Sequence, residues 1–272
     1  MMDTTRIAFI GGGNMASAII GGLLRQGLAP AQVAVVEPFD GQRARLQQQF
    51  GVPAQEHAGP ALADCGLVVW AVKPQTFKEA AAQAKAHVSQ ALHLSVAAGI
   101  RSDSIAAWLG TQRIVRSMPN TPALVGKGMT ALFARAGVTP AEKARVEQVI
   151  ATTGEYLWVD AEKQLDAVTA LSGSGPAYVF YFLEAMTQAG AEMGLGEEQA
   201  RRLAVGTFAG ASELARASQE PLQVLRERVT SKGGTTYAAL TSMENDQVKA
   251  EFVKALHAAC RRAEELGDEF GK

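Results

Sequence analysis

The feature that most restricts the fold is a glycine run placed directly after the first apolar segment. Arg6 to Ile10 reads as a short strand, and Gly11-Gly12-Gly13-Asn14-Met15-Ala16 follows at once and leads into a helical pattern. Gly11 is expected to make the tight turn, Gly13 to let the backbone approach a pyrophosphate, and Ala16 to fill the small position where helix meets strand. The helix start then offers unpaired N–H groups to phosphates. A turn of this kind also serves as a plain connection. Its place at the head of a strand-helix-strand unit, with Glu37 closing the second strand, points to dinucleotide binding.

The pattern that follows sets the class. Short apolar runs at Val33 to Glu37, Leu67 to Val72, Leu92 to Val96, Arg113 to Ser117, Met129 to Phe133 and Tyr156 to Val159 alternate with helical stretches such as Arg43 to Phe50, Thr76 to His87, Asp103 to Leu109 and Ala141 to Thr153. After Asp160 the strand signals stop, and helices are expected over Glu162 to Leu171, Ala177 to Met193, Glu197 to Ser218, Pro221 to Arg228, Thr236 to Met243 and Gln247 to Leu266. The expected fold is therefore α/β: a Rossmann-type parallel sheet in residues 1–160, then an all-helical domain in residues 161–272. The many small residues of the helical half, such as the run Ala204 to Ala211, suit close packing against a second copy.

Three more segments bear on chemistry. Glu37, followed by Pro38, reads either as a carboxylate that accepts from a ribose 2′-hydroxyl and repels a 2′-phosphate or as a plain solvated strand-end charge, and Arg43 and Arg45 lie close enough on the next helix to serve a phosphate instead. Val72-Lys73-Pro74-Gln75 and Arg116-Ser117-Met118-Pro119-Asn120-Thr121-Pro122 are stiff, polar strand exits that read either as pocket walls or as plain turns. Val229-Thr230-Ser231-Lys232-Gly233-Gly234-Thr235-Thr236 is a second glycine turn before a helix, able to aim backbone N–H groups at a small carboxylate or to act simply as a loop and cap.

Several classes lose support. With 26 Lys+Arg against 27 Asp+Glu the formal charge is −1, which disfavours a dedicated nucleic-acid binder. Cys65 and Cys260 form no metal or disulfide pattern, so no metal is expected and a reducing cytoplasm fits. Ile7 to Leu24 carries too many glycines and polar residues for a signal peptide or membrane span. His57, His87, His93 and His257 fall in no motif, and no hydrolase or phosphoryl-transfer signature is present.

Taken together, Gly11 to Ala16, Val72 to Gln75, Ser95-Val-Ala-Ala-Gly99, Met118-Pro-Asn-Thr-Pro122, Asp166-Ala-Val-Thr-Ala-Leu-Ser-Gly-Ser-Gly-Pro-Ala-Tyr178 and Val229 to Thr236 resemble pyrroline-5-carboxylate reductases over nearly the whole chain. The resemblance implies reduction of 1-pyrroline-5-carboxylate to L-proline with NADPH or NADH. It also implies a helical dimerisation domain and is compatible with a larger ring of dimers. By motif position it puts the dinucleotide at Gly11, Gly13, Asn14, Met15, Glu37, Val72, Lys73 and Ala98, and the substrate at Glu162, Gly233, Gly234, Thr235 and Thr236. Thr236 is expected to assist protonation of the imine nitrogen. Two departures stand out: Lys232 where the family often has proline, and Glu37 where a residue tolerant of a 2′-phosphate is common. A 3-hydroxyacid dehydrogenase of similar build would be expected to carry a lysine–asparagine pair after the sheet, and Lys163 has Gln164 and Ala167 nearby instead. A nucleotide sensor without turnover is the reading from a different class, and the intact Gly233 to Thr236 turn argues against it.

Overall fold

The computed structural model describes residues 6–271. Strands β1 (Arg6–Ile10), β2 (Val33–Val36), β3 (Ala54–Gln55), β4 (Cys65–Trp70), β5 (Leu92–Ser95), β6 (Ile114–Met118), β7 (Gly128–Ala134) and β8 (Gly154–Trp158) form one sheet in the order β3-β2-β1-β4-β5-β6-β7-β8. All neighbours run parallel except β6 and β7. The exception follows from the connection. A turn built around Thr121–Val125 joins these two strands without a crossover helix, and only an antiparallel return is that short.

Helices α1 (Asn14–Arg25), α2 (Asp40–Phe50), α3 (Pro74–Ala84), α4 (Ser102–Leu109) and α5 (Pro140–Ile150) cover the sheet. Alternation along β1 shows how: Ile7 and Phe9 join Ile19, Ile20, Leu23, Leu46, Val146 and Val149 on one face, while Ala8 and Ile10 join Trp70, Phe77, Ile100, Ile105 and Leu109 on the other. Each large side chain buried in this way contributes roughly 1.5–3 kcal/mol. On the second face Trp70 stacks on Phe77 with centroids 5.0 Å apart, and its indole N–H donates to His93 Nδ1 at 3.1 Å.

After β8 come α6 (Gln164–Val168), a π-helical turn over Thr169–Gly173, and then α7 (Gly175–Glu192), α8 (Glu197–Ala217), α9 (Leu222–Arg228), α10 (Thr235–Asn245) and α11 (Val248–Phe270). By packing the chain divides into two compact units, Met1–Ser174 with Ala259–Lys272, and Gly175–Ala258. This division lies beyond residue 160 because Leu165 and Asp166 are buried in the first unit, where Asp166 takes two 2.9 Å hydrogen bonds from Arg101. The end of α11 also belongs there: Leu266 and Phe270 lie against Gly99, and Ser104 Oγ donates to the Gly271 carbonyl at 2.8 Å.

The second unit is a helical assembly in which α7 packs on α8, and Tyr178 and Phe182 meet Phe252 edge-on. Its own residues leave much apolar surface bare: Phe180, Tyr181, Leu203 and Leu214 are each more than half exposed. An apolar surface of that extent marks an interaction face.

Candidate functional site

The carboxyl edge of the sheet gathers the first set of expected residues. Gly11 has φ +93°, and a Cβ there would sit 2.6 Å from the Ala71 carbonyl oxygen, so both the turn and the close approach of the neighbouring strand exit require glycine. Its N–H donates to the Val36 carbonyl at 2.8 Å, tying the turn to the end of β2. Gly13 is the N-cap of α1 and supplies no side-chain cap; a Cβ on it would meet nothing within 4 Å. The first N–H groups of α1, beginning at Asn14 and Met15, therefore open onto free space, which suits a pyrophosphate.

Glu37 lies at the end of β2 and is 6% exposed. One carboxylate oxygen accepts from the Gly12 N–H at 2.8 Å and the other from the Phe39 N–H at 3.0 Å. The carboxylate thus braces the glycine turn from the adjacent strand. Arg43 Nη1 donates to the carbonyls of Glu37 and Pro38, both at 2.8 Å, and its Nη2 pairs with Asp40. Lys73 is the exposed N-cap of α3, with Pro74 as its first residue, and Val72 lies beside Gly11. Ala98 sits in the connection between β5 and α4. Since β2, β1, β4 and β5 are consecutive in the sheet, their exits place Gly11, Gly13, Asn14, Met15, Glu37, Val72, Lys73 and Ala98 along one edge. These residues fit a dinucleotide.

Glu162 belongs to a buried polar network in the first unit. Its Oε1 accepts from the Ser102 N–H and from Arg116 Nη1, both at 2.6 Å, and its Oε2 accepts from Ser102 Oγ at 2.5 Å. Burial alone would raise this carboxyl, but the bonds from Ser102 and the guanidinium of Arg116 outweigh it and hold the group below the usual range. Glu162 therefore caps α4 and neutralises Arg116. Sequence reasoning named both residues but missed their pairing. The available signal was an arginine directly after the apolar pair Ile114 and Val115 in a central strand, a place that demands a buried partner.

Asn120 turns out to be a brace. Its Nδ2 donates to the Ser172 carbonyl at 3.1 Å and its Oδ1 accepts from the Met129 N–H at 2.9 Å. It fastens the π-helical turn to the start of β7, and Met118 packs against Gly173 in the same turn.

In the second unit, Gly233 has φ +77° and Gly234 is the N-cap of α10, again without a side-chain cap. Thr235 and Thr236 are the first two residues of that helix, so Thr236 stands one position inside the start expected for it. The turn is closed by the Gly234 N–H donating to the Ser231 carbonyl at 3.0 Å. Its open N–H groups and hydroxyls suit a small anion. No group of side chains that could hold a metal ion occurs among the described residues.

Comparison with known proteins agrees with this arrangement. Residues 6–99 match the family described as NADP oxidoreductase coenzyme F420-dependent, and residues 162–266 match pyrroline-5-carboxylate reductase dimerisation. A pyrroline-5-carboxylate reductase of Pseudomonas aeruginosa is 45% identical over the full length of both chains. Among solved structures, a pyrroline-5-carboxylate reductase from Coxiella burnetii matches with a TM-score of 0.90 and 37% identity, covering 97% of this chain and 99% of that one. A pyrroline carboxylate reductase from Plasmodium falciparum, solved with NADP bound, matches with a TM-score of 0.88 and 28% identity, covering 98% of this chain and 100% of that one. With its dinucleotide edge, its helical second unit and relatives aligned from end to end, this chain belongs to the pyrroline-5-carboxylate reductase family.

Proposed function

We propose that the chain reduces 1-pyrroline-5-carboxylate to L-proline, taking the hydride from NADPH or NADH. The observation that carries the reading is a pair of glycine turns, Gly11 to Gly13 and Gly233 to Gly234, each opening a helix that no side chain caps. One suits a pyrophosphate and the other the substrate carboxylate. The dinucleotide, when bound, supplies the hydride that the imine carbon accepts. The chain's own part is to orient the reactants and to handle one proton.

In this reading the N–H groups at Gly233 and Thr235 hold the carboxylate, while the Gly234 N–H closes the turn onto the Ser231 carbonyl, and the Thr236 hydroxyl donates to the imine nitrogen, favouring its protonated, electrophilic form. Glu162 is assigned a positioning role, tied as it is to Ser102 and Arg116. It keeps α4 and the preceding Ala98 connection in place. No strong general base is required. Residues 1–160 supply the dinucleotide site and 161–272 the substrate and dimer contacts, the bare apolar face of the second unit meeting its copy in a homodimer. Assembly into a ring of dimers and a cytoplasmic location complete the proposal, and none of the described helices is long and apolar enough to cross a membrane.

Steady-state oxidation of NADPH or NADH with pyrroline-5-carboxylate tests the activity. Thr236→Ala is expected to lower kcat by about 10- to 1000-fold, with Thr236→Ser retaining more. Equal turnover of the alanine variant and the native protein would reduce Thr236 to a helix residue.

A further inference from the structure

We propose that the adenosine end of the dinucleotide site is built for an unphosphorylated ribose: Glu37 reads the diol, Phe39 offers the adenine an aromatic face, and Arg43 is withheld from any 2′-phosphate. The protein then selects NAD(H) over NADP(H). This rests on the dinucleotide reading above and goes beyond it by choosing between the two cofactors.

Charge is the first argument. The strand end and the start of α2 carry Glu37, Asp40 and, on the neighbouring edge, Glu56, whose carboxylate lies 3.8 Å from Arg43 Nη2. Against these three acids stand Arg43 and Arg45. Glu37 is held in place by the Gly12 and Phe39 N–H groups, so its charge cannot swing aside to admit a phosphate without releasing the glycine turn. Each oxygen keeps a lone pair beyond the backbone bond it accepts, which leaves room for a ribose hydroxyl.

The second argument is the fate of Arg43. A 2′-phosphate needs a free guanidinium, and this one is spent on the Glu37 and Pro38 carbonyls and on the Asp40 carboxylate. Its side chain is only 20% exposed. Recruiting it would break these three contacts and the longer approach to Glu56, and would take their donor from two carbonyls. Arg45, exposed on α2, reaches Gln42 Oε1 at 3.5 Å and is the cation left to answer a phosphate.

Phe39 supplies the third argument. It is 73% exposed, two residues after the carboxylate, and its backbone is fixed by Glu37 as the N-cap of α2. An exposed aromatic ring beside the residue that reads the ribose, on a backbone held by that residue, is where an adenine can stack. Stacking adds affinity without distinguishing the two dinucleotides.

Titration calorimetry of the full chain with NAD+ and with NADP+ tests this without relying on turnover. The native protein is expected to bind NAD+ about tenfold more tightly than NADP+, and Glu37→Ser to shift that ratio about tenfold toward NADP+. Phe39→Ala should weaken both by about fivefold to tenfold with the ratio kept, and Phe39→Tyr should restore both. Arg43→Ala should leave NADP+ affinity unchanged. A purely bracing Glu37 would weaken both dinucleotides alike, so the ratio separates reading from support. Equal affinities in the native protein, a ratio unmoved by Glu37→Ser, or a silent Phe39→Ala would overturn the proposal while leaving the dinucleotide reading intact. If neither dinucleotide binds, both fall. The native ratio decides the matter even if Glu37→Ser does not fold.

Discussion

Replacing Glu162 by alanine is expected to destabilise the first unit by about 3–5 kcal/mol, the penalty for removing one partner of a buried ion pair. The upper part of that range applies because the Arg116 side chain left behind is only 5% exposed, while that of Glu162 is 20% exposed. The same change strips the Ser102 N–H and hydroxyl of their acceptor at the start of α4. At roughly 2–4 °C per kcal/mol for a unit of this size, the melting temperature should drop by about 10 °C. Urea unfolding followed by circular dichroism, with the midpoint converted through an unchanged m-value, gives the number. Glu162→Gln, which keeps the shape and an acceptor but not the charge, should fall between alanine and the native protein. Arg116→Met combined with Glu162→Leu should lose less than Glu162→Ala alone, since no charge is stranded. A loss below about 1 kcal/mol in Glu162→Ala would refute the argument. So would a Glu162→Gln variant as stable as the native protein yet unable to bind substrate, because that would make Glu162 a direct ligand.

Acid should act in two windows. His93 is buried and neutral with its pKa pushed down to about 4, by burial first and by Arg113 second, so stability is complete above the ordinary value of 6.5 and falls toward pH 4, by about 3 kcal/mol in all. His93→Gln, which retains an acceptor for Trp70, should flatten that slope in pH-dependent urea titrations, and an unchanged slope would discharge His93 of the role. Glu162, held below the usual carboxylate range, should contribute its stability at neutral pH and lose it only as pH falls through that lowered value, a further decline absent from Glu162→Gln. On the second unit, Phe180→Asp should yield a monomer in sedimentation while leaving the helical circular dichroism intact, and a native-like dimer would place the interface elsewhere.

Much of this was legible because certain residues carry their conformation with them. The turn at Gly11 and the turn at Gly233 both need φ above zero, and the sequence puts glycine at both places. Helix α5 carries its own start signal in Thr139, Pro140 and Glu142, where Thr139 and Glu142 form a capping box with Pro140 as the first helical residue. Strand β3 escaped notice because two residues hold no period. The start of α2 at Asp40 rather than Arg43 depends on the Glu37 carboxylate and its hold on the Phe39 N–H. Arg116 asked for a buried partner, but that the partner is Glu162 was unreadable for a plainer reason. Its partners come from segments 46 and 60 residues away, and nothing local to Glu162 records them. The same holds for the π-helical turn, whose extra residue is held by the Asn120 bond to Ser172 and by Met118 against Gly173.

The return of α11 to the first unit bears on how the chain is made. Ser104 and Gly271, bonded in the finished protein, are 167 residues apart in sequence. During synthesis the connection holding Ala98 and Gly99 therefore emerges long before the segment that covers it. All of Gly175–Ala258 must be translated in between, roughly 4–17 s at ~5–20 residues per second. The sheet can form in that interval, but the Gly99 connection stays uncovered until the end of α11 arrives. A ribosome stalled within the second unit would therefore hold a nascent chain whose first unit is recognisable yet unfinished, with the apolar floor beneath Leu266 and Phe270 open to chaperones and proteases.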